Sequence, residues 1–239
     1  MWTQGLFKAK HASHPFRRPA AFCGPKHSLH PIENMRKNQK AKNRKPEILE
    51  NYYQVIIQEG LEGASIGQIA KRMSIHPSLI IHYFKTKEKM TIELVDLLIE
   101  KYEAPDFLDF SHIADLNQRF QSIMDTIFSF EWSRTVNPGV HFGFYYLSFR
   151  NPQIRERFRE MFKRFKSYLL RELSVYLDAG IIQNADLETA ADIIITLMEG
   201  LEFHANFLAE GQPFDKFADA SKRIALELLM HSAENSGKP

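Results

Sequence analysis

The chain has one cysteine, Cys23, so no intramolecular disulfide can staple it and no cysteine-rich zinc cluster can form. Long apolar runs are missing as well, and none approaches the roughly 18 residues that a membrane span requires. Glycine and proline are sparse, 11 of each in 239 residues, and no stretch alternates apolar and polar residues as a strand would. There is no HExxH, no glycine-rich phosphate loop after a strand and no nucleophile elbow, so no catalytic set converges. What is abundant is apolar side chain, 44% of residues, arranged at helical spacing. These features predict an all-α cytoplasmic protein that needs neither cofactor nor metal.

A formal net charge of +2 conceals an asymmetry. Up to Lys45 there are 11 Lys and Arg against one acidic residue, whereas the remainder carries 20 against 28. Residues 1–34 show no periodicity and contain Pro15, Pro19, Pro25 and Pro31, with His11, His14, His27 and His30 scattered among them. Disorder is expected for 1–43, a basic extension. Its acid-poor start fits a transit segment or an upstream extension ahead of Met35. The run from Met35 to Lys45, MRKNQKAKNRK, reads either as a solvated tail or as an arm for phosphates and minor grooves.

Pro46 is placed to start a helix, and Ile48, Leu49, Tyr52, Val55 and Ile56 recur at helical spacing until Gly60. Ser65 and Gln68 form a capping box, and Ile66, Ile69, Ala70 and Met73 make one face of the short helix that they open. After Ser74-Ile75-His76, Pro77 opens another short helix to about Phe84. Two short helices across a tight turn have the form of a helix-turn-helix. On the second, Ile80 and Phe84 can pack inward. His76, Pro77, Ser78, Leu79, Ile81, His82 and Tyr83 then leave a surplus of hydrogen-bonding, aromatic and methyl groups, a mixture suited to base edges and phosphates. Thr86 caps the next helix, which runs to about Glu103 along Met90, Leu94, Leu98 and Tyr102, with Lys87 at its start. A lysine there opposes the helix dipole, which favours a phosphate partner.

The run Ile69-Ala70, Ile75, Ile80, His82-Tyr83-Phe84, Lys87-Glu88 and Met90 resembles the DNA-binding signature of TetR-type transcriptional regulators, over roughly residues 44–103. It departs from the usual pattern at Ser74, where the turn glycine stands, at Ile81, usually aromatic, and at Leu79, usually small. The resemblance implies a three-helix DNA-binding domain at 44–90, a connecting helix at 91–104 and a helical ligand-binding and dimerisation domain at 105–233, with 234–239 a flexible tail. It implies contacts to double-stranded DNA through Ser65, His76, Pro77, Ser78, Leu79, Ile81, His82, Tyr83 and Lys87.

Beyond Ala104-Pro105-Asp106 the periodicity predicts helices at 111–131, 139–149, 152–179, 186–210 and 213–232. Aromatic residues crowd this half, among them Phe158, Phe162 and Phe165. Met124, Phe128, Trp132, His141, Phe142, Tyr145 and Tyr146 are the candidate lining of a pocket between helices for a small apolar or amphipathic effector; the alternative for each is ordinary packing. Glu199, Glu202 and His204 lie close on one helix as polar neighbours of that pocket or of an interface. Leu197, Leu201, Leu208, Ile224 and Leu228 are the candidate contacts of a homodimer, the state that the resemblance and two-half-site DNA geometry both imply, and Gly200 would permit close helix approach. The expected function is a ligand-released repressor. A helical interaction module with a vestigial helix-turn-helix, or a helical-bundle enzyme, are the alternatives.

Overall fold

The computed structural model describes residues 30–102, 109–209 and 211–231, with the backbone alone for 30–43 and for Tyr102. Contacts divide the chain into two units, Met1–Lys42 and Asn43–Pro239, and every described side chain belongs to the second. Among the described residues there are ten helices and no strand: α1 His30–Gly63, α2 Ile66–Met73, α3 Pro77–Phe84, α4 Lys87–Tyr102, α5 Leu116–Ile127, α6 Phe130–Ser133, α7 Pro138–Ser148, α8 Pro152–Asp178, α9 Leu187–Phe207 and α10 Phe214–Met230. The all-helical expectation is met, and no described helix is long and apolar enough to cross a membrane.

Two boundaries differ from expectation. The first helix does not start at Pro46: its backbone is helical from His30, with Pro46 inside it. Most of 30–45 consists of good helix formers, which offset the hydrogen bond that proline forfeits. Of the expected extension at 1–43, the backbone of 30–43 is helical, while its remainder, the 103–108 boundary and the 234–239 tail lie outside the described residues. The expected helix at 111–131 is instead α5 and α6. Asp115 caps α5 through Gln118 N, and Ser129 caps α6 through Trp132 N, because Phe128 leaves helical backbone at φ −103°, ψ 16°.

Two apolar cores organise the unit. The first gathers Ile48, Tyr52, Val55 and Ile56 of α1, Ile69 and Ala70 of α2, Ile80 and Phe84 of α3, and Met90, Leu94, Val95 and Leu98 of α4. It continues into Val140, Phe144 and Ile154 of α7 and α8. The second joins Phe120, Ile123 and Met124 of α5 to Leu169, Leu173 and Tyr176 of α8, Ile194 and Met198 of α9, and Ala225 and Leu229 of α10. Helix α8, 27 residues and therefore about 40 Å long, contributes to both cores, its first turns to one and its last turns to the other.

Candidate nucleic-acid interface and ligand cavity

The start of α2 is built as its sequence requires. Gln68 N donates to Ser65 Oγ at 3.2 Å and Ser65 N donates to Gln68 Oε1 at 2.9 Å. Ser74 ends the helix in left-handed backbone, φ 52° and ψ 43°, the conformation for which glycine is the cheaper residue. Ser65 is thus occupied as a cap, and its side chain is exposed.

Helix α3 is anchored from behind by Ile80 and Phe84, which are buried, while His76, Ser78, Ile81 and His82 are exposed, with Ile81 46% accessible. Pro77, Leu79 and Tyr83 are half-buried, and Tyr83 packs against the first core. His76 caps α3: its Nδ1 accepts from Ser78 N at 3.3 Å and lies 2.7 Å from Ser78 Oγ. An accepting Nδ1 fixes the neutral ring as the Nε2–H tautomer, so the remaining nitrogen is a donor. The outward stripe therefore combines one imidazole donor, one hydroxyl, a branched aliphatic side chain and a second imidazole.

The junction from α3 to α4 is a γ-turn. Thr86 N donates to Phe84 O at 2.8 Å around Lys85, whose φ of 67° and ψ of −51° are rare for a residue with a side chain. Lys85 Nζ donates to His82 O, 3.0 Å away, at the exposed end of the stripe. Lys87 also has a partner within the chain. Its ammonium donates to Leu61 O at 3.1 Å, just past Gly60, where α1 leaves helical backbone at φ 74° and ψ 169° as the sequence led one to expect.

In the helical body, Ile127, Trp132, Met161, Phe162, Phe165, Tyr168, Ile195, Met198, Leu201 and Phe214 line a cavity of about 270 Å³, together with Ser129, Ser133, His141, Arg164, Glu199 and Glu202. Trp132 and Phe165 have ring centres 5.7 Å apart, and Phe165 stacks on Tyr168 at 6.5 Å, giving an aromatic wall. Tyr145 OH donates to Glu199 at 2.5 Å, and the His141 ring lies 4.8 Å from that of Tyr145. Burial pushes the Glu199 carboxyl above its ordinary range, the Glu202 charge adds to that, and the Tyr145 bond opposes it. Glu202 is paired with Arg134 at 3.1 Å and accepts from Ser133 Oγ. Burial lowers His141 from 6.5 to about 4, so the ring is neutral near pH 7. His141 Nε2 and Tyr168 OH are buried without a hydrogen-bond partner among the described residues.

Several expected site residues fall elsewhere. Met124 and Phe128 do not line this cavity, since they face the second core and are almost fully buried. Phe142 packs on Phe203 and Phe207 instead, at ring distances of 6.4 and 4.9 Å, and Tyr146 is exposed beneath the Arg150 guanidinium. Leu201, expected at a dimer contact, is buried in the second core and lines the cavity; Leu197 and Leu228 are half-buried, and Leu208 and Ile224 are exposed. Among the described residues, no group of three or more His, Cys, Asp or Glu could hold a metal ion.

Two family profiles match the chain. Residues 48–94 match "Bacterial regulatory proteins, tetR family" and residues 115–231 match "Tetracyclin repressor-like, C-terminal domain". The chain belongs to the TetR family. It is a DNA-binding transcriptional regulator. PksA, an HTH-type transcriptional regulator of Bacillus subtilis, is 24% identical over 189 residues, 77% of this chain and 87% of that protein. BetI, an HTH-type transcriptional regulator of Vibrio campbellii, is 26% identical over 175 residues, 72% of this chain and 85% of its own. Among solved structures, a transcriptional regulator of Saccharomonospora viridis in complex with choline superposes with a TM-score of 0.68 at 17% identity, covering 77% of this chain and 95% of that one. A TetR transcription regulator of Haloarcula marismortui gives 0.68 at 16%, covering 79% and 97%, and these likenesses establish the fold.

Residues that sequence reading missed cluster where two patterns overlap. Lys85 sits on a positive φ that no local signal demands of a lysine. Arg164 and Tyr168 lie on the face of α8 that also carries Met161, Phe162 and Phe165, a stripe at helical spacing that was legible but indistinguishable from packing.

Proposed function

We propose that this regulator is a ligand-released repressor that binds double-stranded DNA in the cytoplasm as a homodimer. The observation that supports this reading is the outward stripe of α3, polar or methyl-bearing at His76, Ser78, Ile81 and His82, on a helix held rigid by Ile80 and Phe84. In a major groove, the His76 Nε2–H can donate to a purine acceptor, Ser78 can donate or accept, and Ile81 can cover a thymine methyl. Pro77, Leu79 and Tyr83 flank that stripe, and Ser65 at the start of α2 and Lys87 at the start of α4 complete the DNA contacts, Lys87 keeping N–H groups to spare beyond its bond to Leu61 O. Exposed Phe203 and Phe207 on α9, Leu208 just after it, and Ile224 and Met230 on α10 offer apolar side chains to a second copy, along with the half-buried Leu197 and Leu228. Among the described residues no atom lies within 4 Å of where a Cβ on Gly200 would stand, so that face has room for another helix.

The cavity supplies the release. Its wall on α8, residues 161–168, lies between the two ends of a helix whose first turns touch α4 through Arg157 to Asp96 and Asn151 to Glu88. An effector that binds one setting of α8 better than another shifts the spacing of two heads. The complex with choline of the Saccharomonospora viridis structure supports a small-molecule role for such a body. Fluorescence anisotropy on labelled duplexes tests the reading. A selected duplex is expected to bind with affinity that falls steeply as salt rises, with preference over random duplex reduced by His82→Ala. Salt-independent or preference-free binding contradicts it and favours the interaction-module alternative.

A further inference from the structure

Resting on the cavity as the effector site, we propose that the effector is a protonated amine on an apolar, aromatic-sized body, its ammonium seated between Glu199, His141 and the wall of Trp132, Phe165 and Tyr168. The cavity, about 270 Å³, is at the lower end of ligand-pocket sizes, so the guest is small. Most of its lining is apolar or aromatic, which selects an apolar body.

The head group is set by the polar side chains. Glu199 is half-buried, and its carboxyl has as near neighbours the Tyr145 hydroxyl and the like charge of Glu202. Glu202 is compensated by Arg134, but among the described residues no cation contributes to the environment of Glu199. Burying a carboxylate beside another without its own counter-charge is unfavourable, and a guest cation removes that cost. His141, kept neutral by burial, has an unpartnered Nε2 that can accept an N–H, and an ammonium has N–H groups to spare after meeting the carboxylate. Tyr168 OH, likewise unpartnered, lies on the same lining, and the stacked rings add cation–π attraction. Arg164 also lines the cavity and opposes a cation, which makes an anionic guest the competing outcome.

The test uses the full chain carrying Trp2→Phe, so that Trp132, the remaining tryptophan, reports occupancy of the cavity it lines. Phenylbutylamine, phenylbutanol and phenylbutyrate share one body and differ in head-group charge. The amine is expected to bind at least about tenfold tighter than the alcohol, the range of a charge-assisted hydrogen bond, with the carboxylate weakest. Glu199→Gln is expected to bring amine and alcohol within about twofold of each other. An alcohol that binds as well as the amine in the unsubstituted chain overturns the proposal without any variant. So does an amine preference that survives Glu199→Gln. If the carboxylate binds tightest and releases DNA, the amine assignment fails and the effector cavity stands. If none of the three quenches Trp132, both fail.

Discussion

Arg157 on α8 donates its Nε to the carboxylate of Asp96 on α4, joining the helix that walls the cavity to the helix next to the reading head. Both side chains are about a third or more exposed, so the pair is worth no more than about 1 kcal/mol to stability. Its expected importance is mechanical. Asp96→Asn and Arg157→Gln should each leave DNA affinity within about twofold of the unsubstituted protein while weakening release by a cavity ligand. Affinity titrations with and without ligand check this, and unchanged release assigns the transmission elsewhere.

Ser74 occupies left-handed backbone where only the lack of a Cβ is free of strain. Ser74→Gly should raise stability by about 0.5–1 kcal/mol, and Ser74→Val should lower it by more than about 1 kcal/mol. Urea denaturation followed by circular dichroism measures both. The sequence marked this position through the turn motif alone. The γ-turn at Lys85 was not legible, because no residue of the junction between the core residues Phe84 and Met90 is of a type that favours a positive φ.

His76 is both a cap and a candidate reader, and the two roles separate by substitution. His76→Asn keeps a cap acceptor for Ser78 N, whereas His76→Ala removes it at a cost of about 1 kcal/mol. Both lose the imidazole donor. If the proposed contact holds, both variants should lose sequence discrimination to a similar degree while only the alanine lowers thermal stability, as measured by competition binding and a melting curve.

His141 is held neutral, its folded value depressed from 6.5 to about 4 by burial. A depressed value means that the unfolded chain takes up the proton first, so the contribution is intact above pH 6.5 and is lost as pH falls toward 4. From pH 7 to pH 5 the unsubstituted protein should lose about 2 kcal/mol that His141→Leu does not lose. Denaturant titrations at the two pH values read the difference. A parallel loss in both proteins contradicts the burial of a neutral ring.

Much of the head was readable from spacing. Capping box, Pro77, the Ile80 and Phe84 anchors and the Thr86 cap are local signals, each complete within a few residues, and each is present in the fold. The cavity was only half readable. Trp132 and His141 line it and Tyr145 bonds to its carboxylate, but Met124 and Phe128 share the same periodicity and turn into the core. Which of two adjacent apolar faces a helix gives to a core and which to a cavity depends on neighbours far away in sequence. Helical spacing alone does not carry that information.

The central claim, that α3 of two copies reads DNA, is tested most directly by selecting duplexes from a random pool with the full-length protein. The expected result is enrichment of a twofold-symmetric site with half-sites about 34–36 Å apart or a multiple of that, and loss of the enrichment when His76 and His82 are both replaced by alanine. Recovery of no common site, or of a site that the doubly substituted protein selects equally well, would contradict it.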